Sequence, residues 1–393
     1  KMSKLEELIQ QYCPDGVEYV RLGDVLSVNR GKRLTKTQLS EYGKYYVYHG
    51  SKDTPLGKYS QFNVKGSTTI VVNTGGIGGV KFCDDDFWCS DGSFWIGHSA
   101  RLNDKYVYYY LSPKESYFAS QKRVGGVPTI DRSTVENVEI PIPPLPVQEE
   151  IVRILDKFTE LQAELQAELQ KRKQQYNYYL DNLLNFNRGG YQAEVRWMKM
   201  SEVFEIRNGY TPSKANKEFW EGGTIPWFRM EDIRQNGRIL SDSILHITPK
   251  GVKGKGLFKA NSFILATTAT IGEHALLIAD SLANQRFTNL LIRKSLKNEI
   301  DVKFFYYYMF IIDEWCKNNT NISNFASVDM TKFCNLLIPI PSMTEQKRIA
   351  GILDRFDRLT NDLSSGLPAE MEKRRQQYEY YRDKLLIFKR KGA

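Results

Sequence analysis

The chain has 393 residues, 41% hydrophobic and 26% charged, which gives room for two domains with full cores and is the balance of a globular protein rather than a disordered one. A formal charge of +9 and a pI near 9.0 suit a polyanionic partner, because each Lys or Arg that neutralises a phosphate releases a counterion; solubility alone is the plainer account. Five widely spaced cysteines and four scattered histidines suggest neither a disulfide framework nor a metal site. No apolar run reaches membrane-spanning length and no signal-peptide core is present, so a reduced, cytoplasmic setting is expected, with Lys1 ahead of Met2 read as a non-native remnant.

In chain order, residues 17–146 read as a β-rich domain, with short apolar runs such as Thr69–Val72 punctuated by Gly, Asn and Asp. The Tyr-rich stretch Lys105–Leu111 is ambiguous between helix and strand. Gly75-Gly76-Ile77-Gly78-Gly79 lacks the Lys-Ser/Thr ending of a phosphate loop and reads as a tight turn beside a sheet. Ile140-Pro141-Ile142-Pro143 is an extended connector, since proline neither donates to a sheet ladder nor sits inside a helix.

Residues 147–190 carry a long helix, from about Val147 to Phe186, with Pro146 suited to its first turn and Glu149 and Glu150 near the positive end of its dipole. Its seam is Ile151, Ile154, Phe158, Leu161, Leu165, Leu169, Tyr176, Tyr179 and Leu183, spaced mostly by three and four. At 1.5 Å per residue it would span roughly 60 Å. Residues 191–341 are a second β-rich domain, containing Ser262–Ala266 and the ambiguous Val302–Ile312, and leave through Ile338-Pro339-Ile340-Pro341. Residues 342–393 open on a capping-box spacing at Ser342–Glu345 and continue as a seam through Ile349, Ile352, Phe356, Leu359 and Leu363. Ser364-Ser365-Gly366-Leu367-Pro368 should kink or break that helix. Two such seams most simply pack antiparallel.

The halves are an imperfect duplication. Leu22–Gly31 matches Met200–Gly209, 178 residues on; Tyr108–Tyr110 matches Tyr306–Tyr308, 198 on; Lys171–Tyr176 matches Lys373–Tyr378, 202 on. The offset grows only between matched blocks, as insertions in loops would make it, and a repeat of this length is a duplicated domain plus helix.

Motifs for methyl transfer, nucleotide hydrolysis, metal-dependent cleavage or nucleophilic catalysis are absent from the sequence, so a non-catalytic chain without cofactor is expected. Basic and polar residues gather in the loops of both β-rich domains. Arg30, Lys32, Arg33, Lys36 and Lys52 lie in the first, and Arg207, Lys214, Arg229, Arg234, Lys250, Lys253 and Lys255 in the second. Lys250–Gly256 alternates cations with flexible residues, which suits either a phosphate backbone or a solvated hairpin tip. Asn284-Gln285-Arg286 combines side chains able to contact base edges bidentately, or forms a structural turn.

Four features together resemble the specificity subunit of type I restriction–modification systems, over essentially the whole chain: Leu5–Leu8 through Cys13-Pro14-Asp15-Gly16; the duplicated Ile-Pro-Ile-Pro exits followed by Gln148 and Gln346; the helix starts Ile154–Phe158 and Ile352–Phe356; and the helix ends Gln174–Tyr179 and Gln376–Tyr381. The resemblance implies an α+β chain with two target-recognition domains, each reading part of a split and asymmetric double-stranded DNA target. It implies two long antiparallel helices as a coiled-coil-like spacer, and a segment 1–16 that packs near the C-terminal helix. It further implies docking of two modification (methyltransferase) subunits and, in the larger complex, of restriction subunits. Ile151, Ile154, Phe158, Leu161, Leu165, Leu169, Ile349, Ile352, Phe356 and Leu359 are then candidates for spacer packing and subunit docking. A stand-alone duplicated DNA-binding regulator and the specificity subunit of a related type II system are the alternative readings.

Overall fold

The computed structural model describes residues 3–123, 125–186, 195–321, 326–362 and 364–392. Helices of eight or more residues are numbered here: α1 Lys4–Tyr12, α2 Asp104–Leu111, α3 Leu145–Leu184, α4 Val302–Asn318, α5 Met343–Asn361 and α6 Leu367–Leu385. The chain divides into two compact units that do not follow its halves: residues 1–167 with 369–393, and residues 168–368. No described helix is long and apolar enough to cross a membrane.

In the first unit a four-stranded antiparallel sheet runs Val28–Arg30, Ser93–Ile96, Thr68–Val72, Val80–Cys83. Side chains alternate across it: Val71, Phe94 and Ile96 join the core under α2, while Ile70 and Cys83 face Phe87 and Cys89. A smaller sheet places Tyr45–Tyr48 between Gly57–Tyr59, antiparallel, and Trp88–Cys89, parallel. The second unit repeats this plan. Phe204–Asn208, Phe287–Ile292, Ser262–Ala266, His274–Leu277 and Ile239–Leu240 form the main sheet, and Ile225–Phe228 lies between His246–Ile247 and Leu282–Ala283 in the small one. Both Tyr-rich stretches are helical. Asn103 caps α2 by accepting from the amides of Lys105 and Tyr106, and Asp301 caps α4 by accepting from that of Phe304.

The Ile-Pro exits are extended, and they are also paired. Glu139–Pro141 runs antiparallel to Tyr19–Arg21, and Leu337–Ile340 to Arg196–Lys199. The Ile142 amide bonds the Glu18 carbonyl, so by antiparallel alternation Pro141, opposite Tyr19, occupies a position where no amide is needed. Met200 bonding Leu336 puts Pro339 in the same situation opposite Trp197.

A glutamine then locks each exit to its domain. Gln148, fully buried, accepts from the Asn103 amide at 2.8 Å and donates to the carbonyls of Arg101 and Pro143 at 2.9 and 2.7 Å. Gln346, equally buried, accepts from the Asp301 amide at 2.8 Å and donates to Glu299 and Pro341 at 2.9 and 2.8 Å. Two turns on, Asp156 accepts from Tyr109 and Lys105, and Asp354 accepts from Tyr307 and Lys303. The repeated Tyr triplet and the repeated Ile-Leu-Asp motif therefore meet, once in each unit.

The helix motifs meet as well. Phe158 stacks on Tyr381 with centroids 5.6 Å apart and lies 6.4 Å from Tyr378; Phe356 stacks on Tyr179 at 5.1 Å and lies 6.5 Å from Tyr176. Helix starts lie against helix ends, so the packing within each unit is antiparallel. The break expected within Ser364–Pro368 is present: α5 ends at Asn361 and α6 starts at Leu367, with Pro368 in its first turn. The buried seam keeps Ile151, Leu169, Tyr176 and Ile349 of the expected one and departs from it elsewhere. Val147, Ile151 and Leu155, and likewise Ile349, Leu353 and Thr360, are buried, whereas Ile154 and Ile352 are half-buried and Leu359 is exposed. These helices cover their own domain as well as a partner helix, so the buried face is wider than a two-residue stripe.

At the chain ends, Leu5 and Leu386 share one core, Lys4 pairs with the buried Glu150 at 3.1 Å, and Val17 bridges Arg390. Arg153 hydrogen-bonding to Glu150, with Lys4 beside it, outweighs burial and holds that carboxylate down at about 2.

Candidate nucleic-acid interface

Each β-rich domain gathers four loops at one end of its sheets, and the repeat lets them be matched. The first follows Gly31 and Gly209. A Cβ on Gly31 would collide with the carbonyls of Cys89 and Ser90, and one on Gly209 with those of Ala283 and Asn284. Only glycine allows that approach. The next residue then bonds the small sheet: Lys32 donates to Cys89, and Tyr210 to Ala283. A tryptophan closes each turn, Trp88 donating to the Lys32 carbonyl at 2.7 Å and Trp227 to that of Tyr210 at 3.0 Å.

The second loop begins at His49 or Arg229, directly after the central strand of the small sheet. The third, Ser90–Gly92 or Asn284–Arg286, bonds the end of that strand through Ser90 to Tyr48 or Asn284 to Phe228. The fourth, Asn73–Gly76 or Thr267–Thr270, joins a later segment through Ile130 to Asn73 or Val328 to Thr267. Gly75, at φ +76, crosses close over Gly50, so the glycine cluster is a turn packed on the second loop.

Several basic residues singled out in the sequence belong to these loops. Arg30 is exposed and donates to the Asp91 carbonyl at 3.3 Å; Lys32 and Arg33 are on the first loop, both exposed; Arg286 and Gln285 are on the third, both open to solvent. Asn284 turns its carboxamide oxygen onto the Arg286 amide, and Gln285 accepts from Thr211, so this tripeptide is an ordered turn that presents Arg286. Lys36 and Lys214 are exposed farther along matching segments.

Others are placed elsewhere or already engaged. Lys52 is half-buried and gives both its hydrogen bonds to Glu115 at 2.7 Å. Arg207 donates to the carbonyls of Lys255 and Gly256 and lies over the Phe258 ring, burial lowering its guanidinium from the ordinary value. It thereby braces the Lys250–Gly256 loop, which also meets Tyr210 through Gly251 and Lys253. Lys250 pairs with Glu218 at 3.2 Å, Lys253 lies near the Phe219 ring, and Lys255 is exposed. Arg234 is exposed on the short helix Met230–Asn236. His49, which the sequence did not single out, lies in this cluster with Ser90 and Gly92, some forty residues away in the chain.

A family profile described as "Type I restriction modification DNA specificity domain" matches residues 14–172 and 193–373. The EcoR124I/EcoR124II type I restriction enzyme specificity subunit of Escherichia coli is 34% identical over 428 aligned positions, covering 99% of this chain and 98% of that one. The EcoprrI specificity subunit of Escherichia coli is 50% identical over 218 residues, a match spanning 54% of this chain and about half, 53%, of that relative. Among solved structures, the S subunit of a type I restriction–modification system from M. genitalium aligns with a TM-score of 0.59 at 17% identity, covering 94% of this chain and 96% of its own. A chain from a study of type I complex assembly and conformational transition aligns at 0.61 and 18% identity, covering 95% and 98%. At such identities the structures speak for the fold.

Proposed function

The chain belongs to the type I restriction–modification specificity family, and from that premise we propose that it is the non-catalytic subunit that selects the DNA sequence on which such a complex acts. Residues 17–146 and 191–341 are the two readers, 147–190 and 342–393 the spacer helices, and 1–16 the segment that closes the first unit. The single observation that carries this reading is the duplicated loop cluster. Two unlike sets of side chains, among them Arg30, Lys32 and Arg33 in one and Arg229 and Arg286 in the other, sit on the same glycine-closed framework. A common frame with different contents is what two readers of different sequences require.

The target is accordingly bipartite and asymmetric. Phosphate contacts from the exposed lysines and arginines set register, and base contacts from the loops set sequence. Methyl transfer to adenine and ATP-dependent cleavage belong to partner subunits: two modification subunits, with restriction subunits in the larger assembly, all in the cytoplasm. The test is reconstitution. The purified chain alone should neither methylate nor cut DNA, and adding the modification subunits should yield sequence-specific methyl transfer in a complex resolved by gel filtration. Methyl transfer by the rigorously pure chain would refute the assignment.

A further inference from the structure

We infer that one position per domain, His49 in the first and Arg229 in the second, reads a base edge, and that Arg229 reads a guanine. The inference rests on the reading that the loop clusters face DNA. The two residues are structural equivalents. Val47 and Tyr48 pair in parallel with Trp88 and Cys89, as Trp227 and Phe228 pair with Leu282 and Ala283, so the residue that follows is His49 in one domain and Arg229 in the other.

At His49 the backbone fixes which nitrogen carries the proton. The Gly92 amide points at Nδ1 from 3.1 Å, and an amide only donates, so Nδ1 accepts. The Asp91 carboxylate, 3.3 Å from Nδ1, accepts from the Ser90 hydroxyl at 3.1 Å, and Ser90 itself lies 3.2 Å from Nδ1. In the neutral ring with Nδ1 accepting, the proton is on Nε2, and an imidazolium paired with Asp91 would carry one there too; Nε2 has no partner among the described residues, on a side chain 35% exposed. A Cβ at position 92 would collide with Nδ1, so glycine is what lets the ring seat there. The result is a donor on a ring seated by Gly92, with no partner of its own among the described residues, suited to purine N7, guanine O6 or thymine O4.

Arg229 is held by its backbone and free at its head. Its amide donates to the buried Asp232, which also accepts from the Ile244 amide. The guanidinium makes no hydrogen bond among the described residues. Its Nε is buried without a partner, and its nearest carboxylate, on Glu231, is 3.9 Å away. A guanidinium on an anchored backbone, with both outer nitrogens free of hydrogen bonds among the described residues, matches the O6 and N7 acceptors of guanine.

The experiment compares variants in the assembled methyltransferase complex, by mapping methylated sites and by measuring affinity for cognate and single-base-changed targets. His49→Asn keeps an acceptor for Gly92 but loses the outward donor, whereas His49→Gln supplies a donor at the Nε2 position. His49→Asn should lose discrimination about two- to tenfold at one base pair of one half-target, and His49→Gln should retain most of it. Arg229→Lys should lose discrimination about five- to a hundredfold at one G·C pair of the other half-target. Unchanged discrimination in His49→Asn and Arg229→Lys, or equal weakening on all sequences, overturns the inference. Lys32→Ala with Arg33→Ala separates the two failures. If that variant lowers affinity and salt dependence while the His49 and Arg229 variants discriminate normally, only this inference falls; if it too changes nothing, the loops do not face DNA.

Discussion

Replacing Gln148 by Leu removes three hydrogen bonds while nearly conserving volume, so the effect is polar rather than a cavity. The Asn103 amide is deprived of its acceptor, and the carbonyls of Arg101 and Pro143 of their donor. Arg101 is exposed and water replaces its missing partner, but Pro143 is buried and Asn103 half-buried. A buried polar group left unpaired costs about 1–3 kcal/mol; with Pro143 counted in full and the half-buried Asn103 at about 1, the variant should be destabilised by about 2–4 kcal/mol. A domain's whole stability is about 5–15 kcal/mol, which makes this a large fraction. Hydrogen exchange followed by mass spectrometry reads it locally: amides of α2 should exchange about thirty- to a thousandfold faster, with those of α4 unchanged. Gln346→Leu should give the converse pattern, since Gln346 bonds Asp301 at the start of α4. An acceleration below about twofold in α2 would mean that water repairs the site and that the glutamine clamp is not what joins exit to domain.

Burial raises the Asp354 pKa, yet hydrogen bonds from Lys303 and Tyr307, with Arg358 nearby, bring it below its ordinary 3.8. Its stabilisation is thus present above about pH 4 and disappears as pH falls through the lower folded value, so acid unfolding of the second unit should be steeper in the native chain than in Asp354→Asn. Changing Lys250, Lys253 and Lys255 together to alanine should weaken specific and random DNA equally and flatten the salt dependence of log K by about 0.9 for each phosphate no longer neutralised; an unchanged slope would make the loop a solvated tip. The tandem Leu161-Gln162-Ala163-Glu164 and Leu165-Gln166-Ala167-Glu168 lies within α3, with both leucines half-buried. A third such tetrad adds roughly 6 Å of helix and returns the seam to nearly the same face, so the unspecified gap in the target should lengthen by about one to two base pairs with both half-sequences intact.

Features set by short-range chemistry could be read from the chain. The break before α6 follows from Ser-Ser-Gly-Leu-Pro, the helix starts from Pro146 and Ser342, and the duplication from blocks such as Gln174–Tyr179 and Gln376–Tyr381. What the motifs are for could not be, because their partners are distant: Asp156 needs Tyr109, and Phe158 needs Tyr381, more than two hundred residues away. The same distance hides which cations already have partners within the chain. Lys52 and Arg207 look like any exposed basic residue until Glu115 and the carbonyls of Lys255 and Gly256 come into place. His49 is the same case from the other side, since nothing local reveals that Gly92 orients its ring.

Replacing residues 17–140 with the corresponding domain of a different specificity subunit, and mapping every methylated site in a host carrying the hybrid complex, tests the two-reader account most directly. The account predicts a target in which one half-sequence is new and the other is unchanged. A hybrid that altered both halves together, or that methylated the original target, would contradict it.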